Sequence, residues 1–304
     1  MGDLNLIFYV KIIIVHIAMN IKSAIKKLPF VNSLWNQLKE KKKLELIQME
    51  KDAYQRDFEG TGCYGGFLGL YDCFEEAIEQ TPKTKVIGYD NKEILDWYKL
   101  QFETHFEKSY CFDYPVLSWL TILNKIEAKS FNIFDFGGNL GNQFYSFEKK
   151  IGHVIRRWVV CEVEVLSKCG KNIRDQKNAR KLDFITDLNE ATNIDIFFAS
   201  CSLQYVNSID PCYILNRLPE KPKYLIINRI PLTKGKTVVS LQNGHILYCP
   251  QYFYNDQGYW ARFQEIGYKL LEKWEDHSAK CIIPHETRLH VPYYYGACFE
   301  LINT

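Results

Sequence analysis

The residues best placed for chemistry begin at Asp135, directly before the run Phe136-Gly137-Gly138-Asn139-Leu140-Gly141. An apolar stretch from Phe131 ends in that acid, and Asn142 to Phe147 can open a helix, so the pattern reads strand, tight turn, helix N-terminus. Glycines allow positive φ and let a ligand approach the main chain. In an open α/β sheet, ligands bind outside the carboxyl ends of strands, which makes this turn the first candidate site. Counting from Gly137, Asn139 and Asn142 occupy the third and sixth positions, so the dinucleotide pattern G-x-G-x-x-G fails twice. No lysine follows Gly141, so the run is not a phosphate loop either. What remains is Asp-x-Gly-Gly-x-x-Gly. A carboxylate there suits an ammonium group or hydroxyls better than a pyrophosphate. S-adenosylmethionine (SAM), with its amino group, sulfonium and ribose diol, has that chemistry; a plain glycine-rich βα turn is the alternative.

Other candidates fall at later strand ends. Arg157 to Cys161 reads as a second strand closed by Glu162, 21 residues after Gly141. An acid there is placed to accept hydrogen bonds from both ribose hydroxyls, a device that NAD enzymes share. A third strand, Ala179 to Phe184, puts Asp183 at its end, where it could meet an adenine amino group. A fourth, Asn193 to Ala199, runs into Ser200-Cys201-Ser202-Leu203-Gln204-Tyr205, which brings Ser200 and Ser202 beside the first turn and aims Gln204 and Tyr205 at a ligand. A fifth, Lys223 to Arg229, ends in Arg229. Tyr89 and Asp90 lie in an upstream loop within reach of a ligand. For a general base the candidates are His245, in Gln242-Asn243-Gly244-His245, and His105; His153 follows the first helix and falls at the wrong end of the sheet. Cys201 and Ser202 lack the glycine elbow of a nucleophile.

The elements that position these residues alternate strand and helix, which implies a mostly parallel sheet with right-handed crossovers. Thr233 to Asp256 reads as irregular, Gly258 to Ile266 as a helix, and Tyr268 to Glu275 with Tyr293 to Leu301 as an antiparallel pair at one edge. Ahead of the sheet, Asp72 to Gln80, Glu93 to Glu107 and a segment opening at Pro115 read as helices. The expected organisation is an apolar and basic helical segment (1–60), a helical cap (61–129) and a ligand-binding domain (130–304). Leu4 to Ile21 is largely apolar but is broken by Lys11 and His16, and no stable membrane span is expected. Translation from Met19 is an alternative start. Ser33 to Lys51 reads as a basic helix that could be drawn weakly to an anionic membrane surface.

Composition narrows the class. A net charge of +2 gives no basic field for nucleic acid. Ten scattered cysteines include no C-x-x-C pair, which argues against structural zinc and a disulfide framework and points to reduced thiols in a cytoplasmic compartment.

Asp135-Phe136-Gly137-Gly138-Asn139-Leu140-Gly141, Trp158-Val159-Val160-Cys161-Glu162, Ser202-Leu203-Gln204-Tyr205 and Asn228-Arg229-Ile230-Pro231-Leu232 together resemble a family of class I SAM-dependent methyltransferases from bacterial surface-polysaccharide gene clusters. The upstream Gly88-Tyr89-Asp90 is similar as well. Departures are Asn139 for serine, Cys161 before the acid, and Asn228 where the family often has Asp. The resemblance implies a Rossmann-like class I methyltransferase sheet of seven strands, mostly parallel with an antiparallel edge hairpin, behind an N-terminal helical cap. It implies SAM held by Asp135, Phe136, Gly137, Gly138, Asn139, Gly141, Glu162, Asp183, Ser200 and Ser202. It further implies a sugar or glycan-precursor acceptor, for which Tyr89, Gln204, Tyr205 and Arg229 are the candidate contacts; an in-line methyl transfer to a hydroxyl needs no metal, and His245 is the base expected from its loop. Competing readings are another nucleotide-cofactor enzyme and a non-catalytic binding member of a polysaccharide assembly complex.

Overall fold

A computed structural model describes residues 29–60 and 63–302. The apolar stretch Leu4 to Ile21 and the alternative start at Met19 lie outside the described residues. The chain divides into two compact units, Met1–Gln55 and Arg56–Thr304. In the first, residues 29–55 are helical, as part of α1 (Pro29–Glu59). Its apolar residues Leu34, Trp35, Leu38, Leu44, Leu46 and Met49 are all exposed; all but Leu44 fall on one side of the helix, but they share it with the charged residues Lys42, Glu45 and Asp52. No uninterrupted apolar stripe of the kind an interfacial membrane helix uses runs along the described part of this segment. Among the described residues no helix is long and apolar enough to cross a membrane.

The second unit is built on a seven-stranded sheet. Its strands are β3 (Phe131–Phe136), β4 (Ile155–Cys161), β5 (Leu182–Ile185), β6 (Ile196–Ser200), β7 (Tyr224–Ile230), β11 (Tyr268–Asp276) and β12 (Tyr294–Leu301). They lie in the order β11-β12-β7-β6-β3-β4-β5. Pairing is parallel from β5 to β7, while β12 runs antiparallel to both β7 and β11. This is the expected Rossmann-like α/β sheet with its hairpin edge. The inner strands are apolar on both faces because both are covered. Ile133, Trp158, Val160, Ile196 and Phe198 pack on one side with α4 (Tyr114–Glu127) and α5 (Asn142–Ile151). Phe134, Val159, Phe197, Leu225 and Ile227 pack on the other with α7 (Asp256–Glu265).

A second sheet overturns two expectations. Thr233 to Asp256 is not irregular: it contains β8 (Leu232–Thr233), β9 (Val238–Asn243) and β10 (Leu247–Asn255). The cap is not wholly helical: besides α2 (Phe74–Glu79) and α3 (Leu95–His105) it supplies β1 (Phe67–Tyr71) and β2 (Val86–Ile87). The order is β1-β9-β10-β2, with β8 also on β10. Ser240, Asn243 and Gln251 are fully buried and break the apolar alternation that would mark strands. Ser240 and Asn243 are satisfied by distant main chain, Ser240 Oγ donating to Gly69 O (2.8 Å) and Asn243 Nδ2 to Phe58 O (2.6 Å).

Candidate active site

The turn after β3 alternates left-handed residues: Gly137 at φ 69°, Asn139 at 56° and Gly141 at 85°. Asn is the non-glycine residue that visits this region most readily, so the departure from serine leaves the turn intact. Gly137 is required twice over. Its φ is positive, and a Cβ there would come within 2.5 Å of Ser202 Cβ on the neighbouring strand end. Ser202 Oγ in turn donates to Phe136 O at 2.6 Å, stitching the two strand ends together.

Asp135 lies beneath this turn rather than in the cleft. A Cβ on Gly138 would approach its Oδ2 to 2.2 Å, and Trp158 Nε1 donates to that same oxygen at 2.9 Å. Its carboxyl is 1% exposed, and burial pushes its pKa to about 7 from the usual 3.8. A carboxyl whose pKa is raised by folding stays protonated in the native state while the unfolded chain ionises, so stability falls as pH rises from roughly 4 to 7. Asp135→Asn is therefore expected to melt higher than wild type at pH 8, by up to roughly 4 kcal/mol, and to lose that advantage at pH 4. Thermal melts across that range check it; equal melting temperatures at pH 8 would remove the buried acid from the account.

Glu162 closes β4 at the cleft wall. Its Oε1 accepts from Asn139 N (2.9 Å) and its Oε2 from Val163 N (3.0 Å), the latter just ahead of α6 (Glu164–Gln176). Burial raises its pKa, and the two amide donors oppose that. Each carboxylate oxygen keeps a further lone pair for a ligand. Beside it, Asn139 Oδ1 and Asn142 Oδ1 are buried acceptors with no partner among the described residues.

Phe136, Gly137, Asn139, Glu162, Ser200 and Ser202 line one cavity of about 490 Å³, together with Tyr89, Tyr205 and Arg229. Gly138 and Gly141 shape the turn without facing this space; Gly141 is the N-terminal residue before α5. Gln204 is fully buried behind the wall, with Nε2 3.1 Å from Cys201 Sγ. Asp183 belongs elsewhere. The strand begins at Leu182, three residues later than expected, because Asn178 and Ala179 still belong to the turn after α6. Asp183 thus falls near the strand start, where Arg174 (2.9 Å) and Arg157 (3.4 Å) hold its carboxylate away from the cavity. The adenine role expected for it is withdrawn.

His245 also misses the cavity. Its backbone is left-handed (φ 76°), and its ring packs behind Tyr64 and Trp97 at centroid distances of 6.1 and 6.0 Å. A residue in that outer layer cannot take a proton from a bound acceptor, so the expected base is corrected. His105 does line the cavity, with Nδ1 2.5 Å from Tyr110 Oη. His153 is exposed in the turn after α5.

The sequence left several lining residues unread. Tyr64, Trp97 and Tyr98 form one aromatic wall with Tyr89 and Tyr205; successive ring centroids are 6.0 Å (Tyr64–Trp97), 5.1 Å (Trp97–Tyr98), 6.3 Å (Tyr98–Tyr89) and 5.2 Å (Tyr89–Tyr205). Burial raises the pKa of all four phenols, so each stands as a neutral hydroxyl. Asp113 precedes α4 and is 3% exposed; its Oδ2 accepts from Tyr110 N at 2.8 Å, and its Oδ1 has no partner among the described residues. Burial pushes its carboxyl up to about 6, against a lowering by Arg229. The only advance signal was an acid one residue before Tyr114-Pro115, and it read as helix entry.

At the end of β7, Asn228 is fully buried and works in both directions: Nδ2 donates to Phe112 O (3.0 Å) and Oδ1 accepts from Trp274 Nε1 (3.0 Å). An aspartate could not supply the first bond, so asparagine here serves the packing of the cap. Arg229 follows at φ 60°, its Nε donating to Asp276 Oδ2 (3.0 Å) and its guanidinium 3.9 Å above the Phe112 ring.

No family model matches the chain, and no curated protein matches it. Solved structures do. One is the 1,6-didemethyltoxoflavin-N1-methyltransferase of Burkholderia thailandensis, with 1,6-didemethyltoxoflavin and S-adenosylhomocysteine bound: 10% identity over 74% of this chain and 93% of that one, TM-score 0.41. Another is an S-adenosylmethionine-dependent methyltransferase from Clostridium acetobutylicum: 12% identity, 69% and 98% coverage, TM-score 0.43. A third is an O-methyltransferase family 2 protein from Planctomyces limnophilus in complex with apigenin: 12% identity, 58% and 52% coverage, TM-score 0.40.

Proposed function

We propose that this chain is a SAM-dependent methyltransferase that methylates a hydroxyl of a sugar or glycan precursor. One observation carries the reading: the left-handed Gly137-Asn139 turn lies against the Glu162 carboxylate, at the ends of adjacent strands, on the wall of one cavity. The donor set fits the cofactor. Glu162 offers acceptors for a ribose diol, and the free Asn139 and Asn142 carbonyls suit an ammonium. When bound, SAM supplies an electrophilic methyl carbon on a sulfonium. The chain's task is then to align the acceptor with that carbon and to exclude water. The aromatic wall of Tyr64, Trp97 and Tyr98 supports both, since Tyr and Trp present rigid apolar faces with a polar edge. Several phenols and an apolar wall favour a polyhydroxylated acceptor, in keeping with the surface-polysaccharide family that the motifs resemble.

In place of His245, Asp113 is the proposed general base: its Oδ1 is free for a proton, and its pKa near 6 matches a base that works at neutral pH. Turnover is expected to rise as pH passes about 6, where this carboxyl ionises, and Asp113→Asn is expected to remove that limb and lower kcat by about 100-fold or more. A pH–rate profile of the variant that keeps the limb would assign it to another group.

The test of the whole reading is calorimetric titration with SAM, S-adenosylhomocysteine and NAD. Micromolar binding of the first two and none of NAD is the expected result. A folded chain that binds neither adenosyl ligand would favour the non-catalytic reading, and NAD binding would favour another nucleotide-cofactor enzyme.

A further inference from the structure

A second chamber opens from the first and shares with it Tyr64, Tyr89, Trp97, Tyr205, Cys201 and Arg229; its volume is about 440 Å³. Its far side is formed by Gln242 to Gly244 of the second sheet and by Ser278 to Lys280. No carboxylate lines it among the described residues, while two cations do, Arg229 and Lys280. Resting on the methyltransferase reading, we infer that the acceptor carries an oxyanion group, a phosphate or a carboxylate, which Arg229 and Lys280 receive in this chamber.

Arg229 is built for the task. Asp276 takes only its Nε edge, and Phe112 takes one face, so the guanidinium is fixed while both Nη groups have no partner among the described residues. Two parallel N–H groups on one fork match the two oxygens of a carboxylate or phosphate. Asp276 pairs with the guanidinium through Nε alone, and its other oxygen is turned to Ser278 N (2.9 Å) and Ser278 Oγ (2.5 Å), which leaves the Nη edge to a ligand. Asp276 is buried, with its side chain 2% exposed, and lies outside the chamber lining, so the charged groups that face the chamber are both cations. Lys280 is exposed and adds a second charge, with no ion-pair partner among the described residues. Tyr205 fits the same ligand: its hydroxyl donates to Gln242 Oε1 (2.6 Å), and burial keeps it a neutral phenol that does not repel an anion. The uncharged remainder of the acceptor would lie along Tyr64 and Trp97, toward the glycine turn, which places a hydroxyl between the oxyanion and the first chamber.

The experiment uses the full chain saturated with S-adenosylhomocysteine and three probes, glucose 1-phosphate, glucuronate and glucose, read by saturation-transfer NMR. At least one anionic probe is expected to bind, about tenfold or more tightly than glucose, and which one binds separates phosphate from carboxylate. Lys280→Gln and Arg229→Lys are each expected to weaken the anionic probe by about tenfold while leaving S-adenosylhomocysteine affinity within about twofold. Arg229→Lys keeps a cation beside the buried Asp276, and Lys280→Gln changes an exposed residue, so both variants are expected to fold. Glucose binding as well as either anion would overturn the inference, as would unchanged probe affinity in both variants. Loss of S-adenosylhomocysteine affinity in Arg229→Lys would also overturn it, by giving the fork to the cofactor's carboxylate. If the wild-type chain does not bind S-adenosylhomocysteine at all, the methyltransferase reading fails separately, and the same probes on the free chain still decide whether the chamber selects anions.

Discussion

Gly137→Val abolishes S-adenosylhomocysteine binding, and the variant still melts cooperatively; that is the expected result at the turn. Valine is branched at Cβ and at φ 69° stands in a region that β-branched residues almost never occupy. Its Cβ would start 2.5 Å from Ser202 Cβ, with Ser202 held in place by its bond to Phe136 O. Relief requires the turn to flatten, which moves Asn139 N off the Glu162 carboxylate. The rest of the sheet does not depend on this: the β3–β4 and β3–β6 ladders end at Phe136. A two-step series separates the causes. Gly137→Ala retains the clash and the strained φ in milder form, and Gly137→Ala with Ser202→Gly removes the clash and leaves the strain of about 1–2 kcal/mol. Calorimetry on the series should show graded recovery. Wild-type affinity in Gly137→Val would take this turn out of the site.

The second large effect is at Glu162. Glu162→Gln is expected to weaken S-adenosylhomocysteine binding by about 100-fold, through lost charge-assisted hydrogen bonds to the ribose hydroxyls. The amide also disturbs the site's own frame. Glu162 accepts from two backbone amides, one on each oxygen, and glutamine has a single acceptor oxygen. One of Asn139 N and Val163 N must then face an NH₂ group. Glu162→Asp keeps the charge but shortens the reach, so it is expected to fall between wild type and Gln. Equal affinity in all three would show that the ribose contacts lie elsewhere.

The parts of this site that the sequence made legible are those whose signal is local. Phe131 to Gly141 carries its strand, turn and helix start within a few residues, and Glu162 follows an unbroken apolar run, so both were placed in register. Asp183 was misplaced because Arg180-Lys181-Leu182 extends smoothly into the strand, and nothing local marks Leu182 as the first paired residue. The aromatic wall was hidden for a different reason. Trp97 and Tyr98 have the spacing of an ordinary amphipathic helix, and Tyr64 lies in a glycine-dense loop; only the tertiary fold aims them at Tyr89 and Tyr205. The second sheet was hidden by its buried Ser240, Asn243 and Gln251, which look like loop residues until their partners arrive from elsewhere in the chain.

That arrival has a consequence for how the protein is made. Phe67 of β1 pairs opposite Gln242 of β9, and Val86 of β2 opposite Leu247 of β10, while Ser240 reaches Gly69 across 171 positions. Closing so long a loop is slow, and it rewards the chain only at the end. The strands made early must therefore wait, as unpaired edges, until the seven-stranded sheet between them has largely emerged. Refolding is expected to restore the glycine turn before the Gln242 wall, in two kinetic phases. The half of the cleft proposed to receive the acceptor is the half the ribosome completes last, and a chain stalled before Val238 exposes β1 and β2 to whatever edge it meets first.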